Sequence, residues 1–197
     1  LYLAVSLPPD FAYPERSPRG RLLQDAVLPF CKEAGVPLAL MIGVKKLTNP
    51  ALGVAGDSVG KSSIEAVENL CVTYPEIRFL VSMLSRENQH ELCVAARKFS
   101  NLIIFGCWWF LNNPSLVREI TTMRLELLGT SHIPQHSDAR VLDQLVYKWE
   151  HSKEVIAEAL IEKYQDLMHT GWIVTEDEIK RDVDRLFRGN ACEALGI

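Results

Sequence analysis

Reactive side chains gather in the stretch HIPQHSDAR, residues 132–140. Asp138 could bind a divalent metal or transfer a proton, because both tasks need a carboxylate. Arg140 could hold a substrate carboxylate through the two parallel hydrogen bonds that a guanidinium offers. In the simpler interpretation, Asp138 is the N-cap of a helix that begins at Ala139, and Arg140 is a surface residue of its first turn. The stretch therefore predicts either a polar functional site or an ordinary helix start.

Two histidines, His132 and His136, lie in the same stretch. Histidine serves as a metal ligand, as a proton carrier or as a hydrogen-bonded residue of the core. Either residue could ligate a metal, and a core position is the simpler interpretation for both.

A pair of tryptophans, Trp108 and Trp109, follows another apolar run. Adjacent side chains of a strand point to opposite faces, so one ring is expected to pack among helices while the other lines the edge of the sheet. An aromatic ring at a strand end can form the wall of a sugar site, although core packing is the default for both rings. Arg86, just after a third run, could neutralise an anionic substrate or lie on a helix surface.

The segment AGDSVGKS, residues 55–62, ends in Gly-Lys-Ser, as a phosphate-binding P-loop does. A P-loop needs a strand that leads directly into the glycine-rich turn. The nearest strand-like run ends at Val44, roughly ten residues too early for that arrangement. Pro50 and Gly53 indicate an irregular connection between the two. We interpret the segment as a flexible loop before a helix capped by Ser62 or Ser63, and nucleotide binding is the weaker alternative.

Strand-like and helix-like segments alternate along the first two thirds of the chain. The predicted strands are residues 1–7, 37–44, 77–84, 101–109 and 130–137. The first four are apolar at nearly every position, which is typical of strands covered on both faces. The predicted helices between them are residues 20–35, 62–74, 85–99 and 114–129, where apolar residues recur at helical spacing. Beyond residue 138 the pattern is wholly helical.

This alternation predicts the α/β class, with a parallel sheet and right-handed crossovers. No GxGxxG motif follows the first strand, so a TIM-type (β/α)8 barrel competes with an open, doubly wound sheet. A barrel needs eight strands and about 250 residues, whereas five strands are predicted here. The chain is therefore either an open sheet or the last five β/α units of a barrel, strands 4–8, followed by C-terminal helices. In a barrel, the residues at the C-terminal strand ends form the active site.

The composition is that of an ordinary globular protein with 197 residues, a net charge of −4 and a pI near 5.8. This acidic balance argues against nucleic acid and anionic membranes as partners. No apolar run is long enough to cross a bilayer. The five cysteines are odd in number and show no CxxC spacing, which favours free thiols and a cytoplasmic location.

Several motifs of the second half resemble the uronate isomerase (glucuronate isomerase) family. The resemblance is strongest in FGCWWFLNNPSLVREITTMRLELLG, residues 105–129, and in PQHSDARVLDQLVYKW, residues 134–149. It continues through SRENQHELCVAARKFSNL and KRDVDRLF and so covers most of the chain. That family belongs to the metal-dependent, amidohydrolase-like superfamily of barrels.

The resemblance implies an isomerase that interconverts the aldose and ketose forms of hexuronic acids, D-glucuronate to D-fructuronate and D-galacturonate to D-tagaturonate. A proton would move between C2 and C1 through an enediol, without a redox cofactor. Asp138 would be a metal ligand and proton-transfer group, and Arg140 would bind substrate oxygens. Together with Trp108, Trp109 and Arg86 as substrate-binding candidates, these residues form the expected site.

The His-x-His motif of the family has no counterpart in this chain. The resemblance therefore implies that residues 1–197 are the C-terminal part of a single (β/α)8 barrel domain, with residues 139–197 mainly helical, and that this part alone is inactive. A divalent metal, most simply zinc, is expected. Asp138 provides one ligand, whereas zinc usually has three protein ligands in catalytic sites. A homo-oligomer is compatible with the resemblance. The alternative function is a metal-dependent hydrolase of the same superfamily, in which Asp138 would activate water.

Overall fold

The computed structural model describes every residue from Leu1 to Ile197. The chain divides into two compact units, Leu1–Ile104 and Phe105–Ile197. Six strands are present: β1 (Leu3–Leu7), β2 (Leu38–Ile42), β3 (Val44–Lys45), β4 (Ser58–Val59), β5 (Phe79–Met83) and β6 (Leu102–Ile104). All six lie in the first unit.

A four-stranded parallel sheet forms the centre of the first unit, in the order β1-β2-β5-β6. Every residue of β5 and nearly every residue of β2 is buried, which explains their continuous apolar sequences. β1 bonds to β2 on one edge only, and its Ala4 and Ser6 are exposed. The first four predicted strands and their parallel arrangement are confirmed, with shorter bounds than predicted.

Helices connect these strands. The helical segments of the first unit are α1 (Pro18–Leu22), a π-helical turn (Leu23–Val27), α2 (Leu28–Ala34), α3 (Glu65–Thr73) and α4 (Gln89–Ala96), with 3-10 segments at Pro50–Gly56 and Arg86–Asn88. Gly35 ends α2 in the left-handed conformation. Ser63 accepts a hydrogen bond from the backbone N–H of Glu65 at 3.2 Å and so satisfies a free donor at the start of α3. Ser85 lies before the 3-10 segment without capping it, because its hydroxyl donates to the Glu87 carboxylate.

The Gly-Lys-Ser segment is more ordered than predicted. β4 pairs with β3 in an antiparallel hairpin, with Val44 opposite Val59. The Asp57 carboxylate accepts hydrogen bonds from Lys46 Nζ at 2.6 Å and from the Leu47 backbone N–H at 2.9 Å. The predicted loop therefore contains a short strand at Ser58–Val59, whereas Gly60, Lys61 and Ser62 form no helix or strand.

The second unit is mainly helical, as predicted for the end of the chain. Its helices are α5 (Pro114–Leu128), α6 (Leu142–His169), α7 (Glu176–Asp184) and α8 (Asn190–Leu195), with a 3-10 segment at Trp109–Leu111 and a π-helical turn at Arg185–Gly189. Asn113 caps α5, and Thr175 and Glu178 form a capping box at α7. α5 packs against α6, and their core contains Val117, Ile120, Ile156 and Leu160. None of the helices has the length and apolar character that a membrane span requires.

The predicted fifth strand, residues 130–137, is wrong. Only Ile133 makes a β-bridge, with Phe105 in the parallel sense. Pro134 has no N–H to donate to a ladder. The side chain of Asn190 donates to the carbonyls of Thr130 and His132. These two carbonyls are therefore bonded by a side chain and not by a neighbouring strand.

The predicted helix start at Ala139 is also wrong. α6 begins at Leu142, its N-cap residue is Val141, and no side chain caps it. Asp138 has a left-handed backbone conformation, with a φ of 44°, whereas an N-cap residue is extended. The simpler interpretation of Asp138 as a helix cap is therefore excluded.

None of the five cysteines forms a disulfide. Cys31, Cys71, Cys93 and Cys107 are buried, and Cys192 is half-buried. They behave as small apolar residues of the core, as their apolar surroundings in the sequence predicted.

Candidate active site

Two backbone segments of the second unit run side by side and position the candidate site. Phe105 and Ile133 form the parallel bridge, and the Gly106 N–H donates to the Ile133 carbonyl at 2.8 Å. One residue further on, the Cys107 N–H donates to the side-chain oxygen of Gln135 at 2.9 Å. The two segments thereby stay in step, and Trp108 comes to lie beside Asp138.

Gln135 is the central hydrogen-bonding residue of this arrangement. Its side chain is buried, and its oxygen also accepts from the His136 N–H at 3.0 Å. Its amide nitrogen donates to Asn112 Oδ1 at 2.9 Å and to Ser152 Oγ, on α6, at 2.7 Å. The side-chain amide thus joins three segments of the chain and uses both its donor and its acceptor capacity. Sequence reasoning missed this role, and the only signal was a glutamine inside an otherwise buried stretch.

Trp108 contacts Asp138 directly. The indole Nε1–H donates to Asp138 Oδ2 at 3.2 Å. The tryptophan side chain is only 4% exposed, whereas Asp138 is exposed. Lys148, on α6, donates from Nζ to the Asp138 backbone carbonyl at 3.1 Å. The carboxylate therefore reaches solvent while its backbone and one of its oxygens are held.

Trp109 is the outward-facing member of the pair. It is half-buried, and its ring stacks on Phe110 with the centroids 4.6 Å apart and an interplanar angle of 13°. Its backbone φ of 46° is left-handed, which is a genuine outlier for a bulky residue. One ring in the core and one nearer the surface is the arrangement that the sequence predicted.

His136 packs inside the same segment. Its ring stacks on Phe105 with the centroids 4.7 Å apart, and its Nε2 is buried without a hydrogen-bond partner. Burial lowers the pKa of His136 to about 4, and the nearby Asp138 carboxylate opposes this only in part. The ring lies against Gly106, where a Cβ atom would come within 2.0 Å of His136 Cδ2. Only glycine fits there, the more so because its φ is +71°.

His132 and Arg124 lie deeper. His132 is fully buried, and burial together with the Arg124 guanidinium lowers the pKa of its imidazole to about 3. Arg124 is buried as well and donates from Nη2 to the Gly106 carbonyl at 2.9 Å. His132 therefore occupies a core position, which agrees with the simpler of its two interpretations, whereas His136 is half-buried.

Arg140 points away from this packing. It is exposed, its backbone N–H donates to Gln144 Oε1 at 3.0 Å, and its guanidinium makes no ion pair within the chain. It borders an open depression whose wall is formed by Ser137, Ala139, Val141, Leu142 and Leu145. The remaining candidate, Arg86, is exposed and lies in the first unit, in the 3-10 segment that follows β5. The structure thus brings Trp108, Trp109 and Asp138 together and places Arg140 two residues further along the chain.

The residues of this chain do not by themselves fit a metal centre. Nowhere do three or more His, Cys, Asp or Glu side chains come together as metal ligands would. Asp138 offers one carboxylate, and one of its oxygens already accepts the Trp108 N–H.

The Gly-Lys-Ser segment does not fit a phosphate. The Gly60 N–H donates to the Gly43 carbonyl at 2.9 Å, and the Ser62 N–H donates to Asn88 Oδ1 at 3.1 Å. These N–H groups would have to point at a phosphate in a P-loop. The nucleotide-binding alternative is therefore not supported.

Comparisons with solved structures find proteins that are similar to this chain along nearly its whole length. A uronate isomerase from Bacillus halodurans C-125 is 62% identical over 99% of this chain, with a TM-score of 0.96. A uronate isomerase from Thermotoga maritima is similar over 98% of the chain at 13% identity with a TM-score of 0.80, and a glucuronate isomerase from Caulobacter crescentus over 99% at 14% identity with a TM-score of 0.78. The last two similarities concern the fold alone. No family model and no curated protein matches the sequence.

These findings confirm the resemblance to the uronate isomerases that the sequence motifs indicated. The chain spans slightly less than half of each relative: 46% of the Bacillus protein, 49% of the Thermotoga protein and 47% of the Caulobacter protein. The mixed α/β architecture with a parallel sheet agrees with these relatives.

Proposed function

We propose that this chain is the C-terminal part of an isomerase that interconverts the aldose and ketose forms of hexuronic acids. The observation that carries the proposal is the 62% identity, over 99% of the chain, to a uronate isomerase. The substrates are D-glucuronate and D-galacturonate, and the products are D-fructuronate and D-tagaturonate. The five cysteines, none of which forms a disulfide, fit a reducing compartment, so we place the reaction in the cytoplasm.

The proposed architecture is the last five β/α units of one (β/α)8 barrel domain, strands 4–8, followed by the C-terminal helices. The four parallel strands of the sheet follow one another in chain order, whereas a doubly wound sheet reverses its order at a switch point. The parallel bridge between Phe105 and Ile133 supplies the fifth strand in reduced form. β1 still has an unbonded edge, where a barrel would continue with a further strand.

Asp138 is the proton-transfer group of the proposed reaction. Its carboxylate accepts the proton from C2 of the aldose, and the electrons of that C–H bond form the C1–C2 double bond of an enediol. The oxygen at C1 gains a proton in this step. The proton then returns to C1, the hydroxyl at C2 loses its proton, and the ketose results. An exposed carboxylate held at one oxygen suits this role, since the other oxygen is free to reach substrate.

Arg140 binds the substrate. Its exposed guanidinium makes no ion pair within the chain, and a uronate carries a carboxylate that a guanidinium can hold through two hydrogen bonds. The half-buried ring of Trp109 offers an apolar face for the sugar. Arg86 is a further binding candidate, with no contact in this chain that assigns it to the site.

A divalent metal, most simply zinc, would bind at Asp138, the one ligand that this chain contributes. The remaining ligands would come from polypeptide outside these residues, and the proton transfer above is derived without the metal. A homo-oligomer stays compatible with the proposal. The hydrolase alternative has less support, because all three relatives described above are isomerases.

The proposal is tested by assaying the full-length protein that contains this chain with D-glucuronate and D-galacturonate. We expect the matching 2-keto uronate as the sole product, identified by carbon NMR, and incorporation of solvent deuterium at C1 where the transferred proton exchanges. A hydrolytic product, or no turnover of either uronate in the presence of zinc, would contradict it. The mass of the intact protein shows in the same sample whether the polypeptide is longer than 197 residues.

A further inference from the structure

The hydrogen bond between Trp108 and Asp138 joins a buried side chain to an exposed one in the candidate site. Trp108 is 4% exposed. The carbonyl of Trp108 accepts from the Leu111 N–H at 2.9 Å, and the preceding N–H, of Cys107, is bonded to the buried Gln135. The indole is therefore fixed by its surroundings, whereas the Asp138 side chain faces solvent and has no packing of its own.

An exposed carboxylate without a partner rotates freely, because the torsion about its last carbon–carbon bond has broad minima. A single N–H donor at Oδ2 restricts that rotation and leaves Oδ1 directed elsewhere. Among the contacts of Asp138, only this one reaches the carboxylate, since Lys148 bonds to the backbone carbonyl.

Unusual backbone conformations lie on both sides of this hydrogen bond. Three non-glycine residues of the chain have positive φ angles, and two of them are Asp138 itself and Trp109, the neighbour of Trp108. Residues in such conformations persist where the surrounding structure enforces them, and they cluster at functional sites. The conformational strain therefore lies at Trp109 and Asp138, the two positions that bring the indole and the carboxylate together.

We infer that Trp108 is a positioning residue: its indole N–H sets the orientation of the Asp138 carboxylate for proton transfer, and Trp108 itself does not form the wall of the sugar site. This inference rests on the proposed function and names a role for Trp108 different from the substrate contact that the sequence predicted. A hydrogen-bond donor that fixes a catalytic carboxylate matters because proton transfer requires it within close range of the reacting carbon.

The kinetic test uses Trp108→Phe in the full-length protein, which removes the N–H and keeps an aromatic ring in the buried position. We expect kcat for D-glucuronate to fall by about 10- to 100-fold, the range for a lost hydrogen bond to a charged group, while KM stays within about threefold. The matched control is Trp172→Phe. Trp172 is 59% exposed and lies past the far end of the 28-residue helix α6, about 42 Å in length, so kcat should stay within about twofold.

A double-mutant cycle separates positioning from a general disturbance. In an Asp138→Asn background, Trp108→Phe should change the residual kcat by less than about twofold, because the carboxylate that it orients is already absent. An equal loss in both backgrounds would overturn the inference, and so would an unchanged kcat in the single variant.

A second readout is independent of activity. With ¹⁵N-labelled tryptophan, each indole N–H of the full-length protein gives its own NMR resonance. Asp138→Asn should shift one of these resonances, since an amide oxygen is a weaker acceptor than a carboxylate. This NMR measurement needs no substitution of Trp108, so it can be made even if the Trp108→Phe variant fails to fold. If the protein does not turn over uronates, the proposed function fails while this contact can still be confirmed, and if no resonance moves, the inference itself is wrong.

Discussion

At the scale of single residues, Asp138 combines a left-handed backbone with an exposed carboxylate that one indole N–H holds. Its position four residues before the first residue of α6 removes the helix cap as an explanation. A charge test at this residue is therefore a test of chemistry rather than of helix stability.

Asp138→Asn should lower turnover of D-glucuronate by about 100-fold or more, because asparagine cannot accept the C2 proton. The free energy of unfolding should change by less than about 0.5 kcal/mol, since the site is exposed and asparagine tolerates positive φ. Steady-state kinetics and urea unfolding of the full-length protein measure the two effects. Asp143→Asn, an equal loss of charge in the first turn of α6, is the control. Turnover near the wild-type value in Asp138→Asn would refute the assignment.

Arg140→Lys tests substrate binding. Lysine keeps the positive charge and removes the planar fork, so kcat/KM for both uronates should fall by about tenfold, mainly through KM. Arg188→Lys, at an exposed arginine of the π-helical turn, should leave kcat/KM unchanged. The role assigned to Arg140 is wrong if the two variants behave alike.

Gly106→Ala should destabilise the second unit. The added Cβ would lie 2.0 Å from His136 Cδ2, and the φ of +71° adds strain, for a combined loss of about 3 kcal/mol in the free energy of unfolding. Gly35→Ala is the control: its φ of +64° and ψ of 22° are left-handed, but nothing lies within 4 Å of the added atom, so only the strain of about 1 kcal/mol remains. Equal losses in the two variants, measured by chemical unfolding, would show that the contact with His136 costs nothing.

At the scale of secondary-structure elements, the segment that contains His132 couples folding to pH. The pKa of His132 falls from 6.5 in the unfolded chain to about 3 in the folded one, mainly through burial. The folded state therefore resists protonation, so its stabilising contribution is complete above pH 6.5 and decreases as the pH falls below that value. The contribution of His132 to the slope of the free energy of unfolding against pH should approach about 1.4 kcal/mol per pH unit. Unfolding of wild type and His132→Gln between pH 7.5 and 5 measures it, and parallel curves would contradict the prediction.

The sequence predicts elements well where one local pattern decides the structure. β2 and β5 are apolar throughout and were found as buried parallel strands, and α5 was found with its Asn113 cap. The stretch from residue 130 to residue 137 shows the opposite case. Its backbone groups bond to the side chains of Gln135 and Asn190, the latter more than 50 residues away, and no local pattern reveals such contacts.

The candidate site follows the same division. Asp138 was found because its residue type and its place after an apolar run indicate chemistry. The bond from Trp108 to Asp138 spans 30 residues of sequence and depends on the bridge at Phe105, so it could not be predicted. The left-handed conformation at Trp109 has no sequence signal either, because bulky residues rarely adopt it.

At the scale of the whole molecule, the chain corresponds to slightly less than half of each relative, and its sheet has an unbonded edge at β1. Under the proposed function, the isolated 197-residue chain should show no isomerase activity, whereas a longer protein that contains it should be active. The physical reason is that Asp138 alone cannot form a metal centre. Assays of both proteins at equal molar concentration check this, and turnover by the isolated chain would show that these residues are sufficient.

The buried cysteines make the opening of the fold measurable by chemistry. Burial raises the pKa of Cys31 and Cys107 and brings that of Cys71 to about 12, so none of these thiols forms the reactive thiolate while its surroundings stay closed. Cys31 and Cys71 lie in the first unit, and Cys107 lies in the second. The rate at which each thiol reacts with an alkylating reagent is therefore a separate measure of how often its own part of the chain opens.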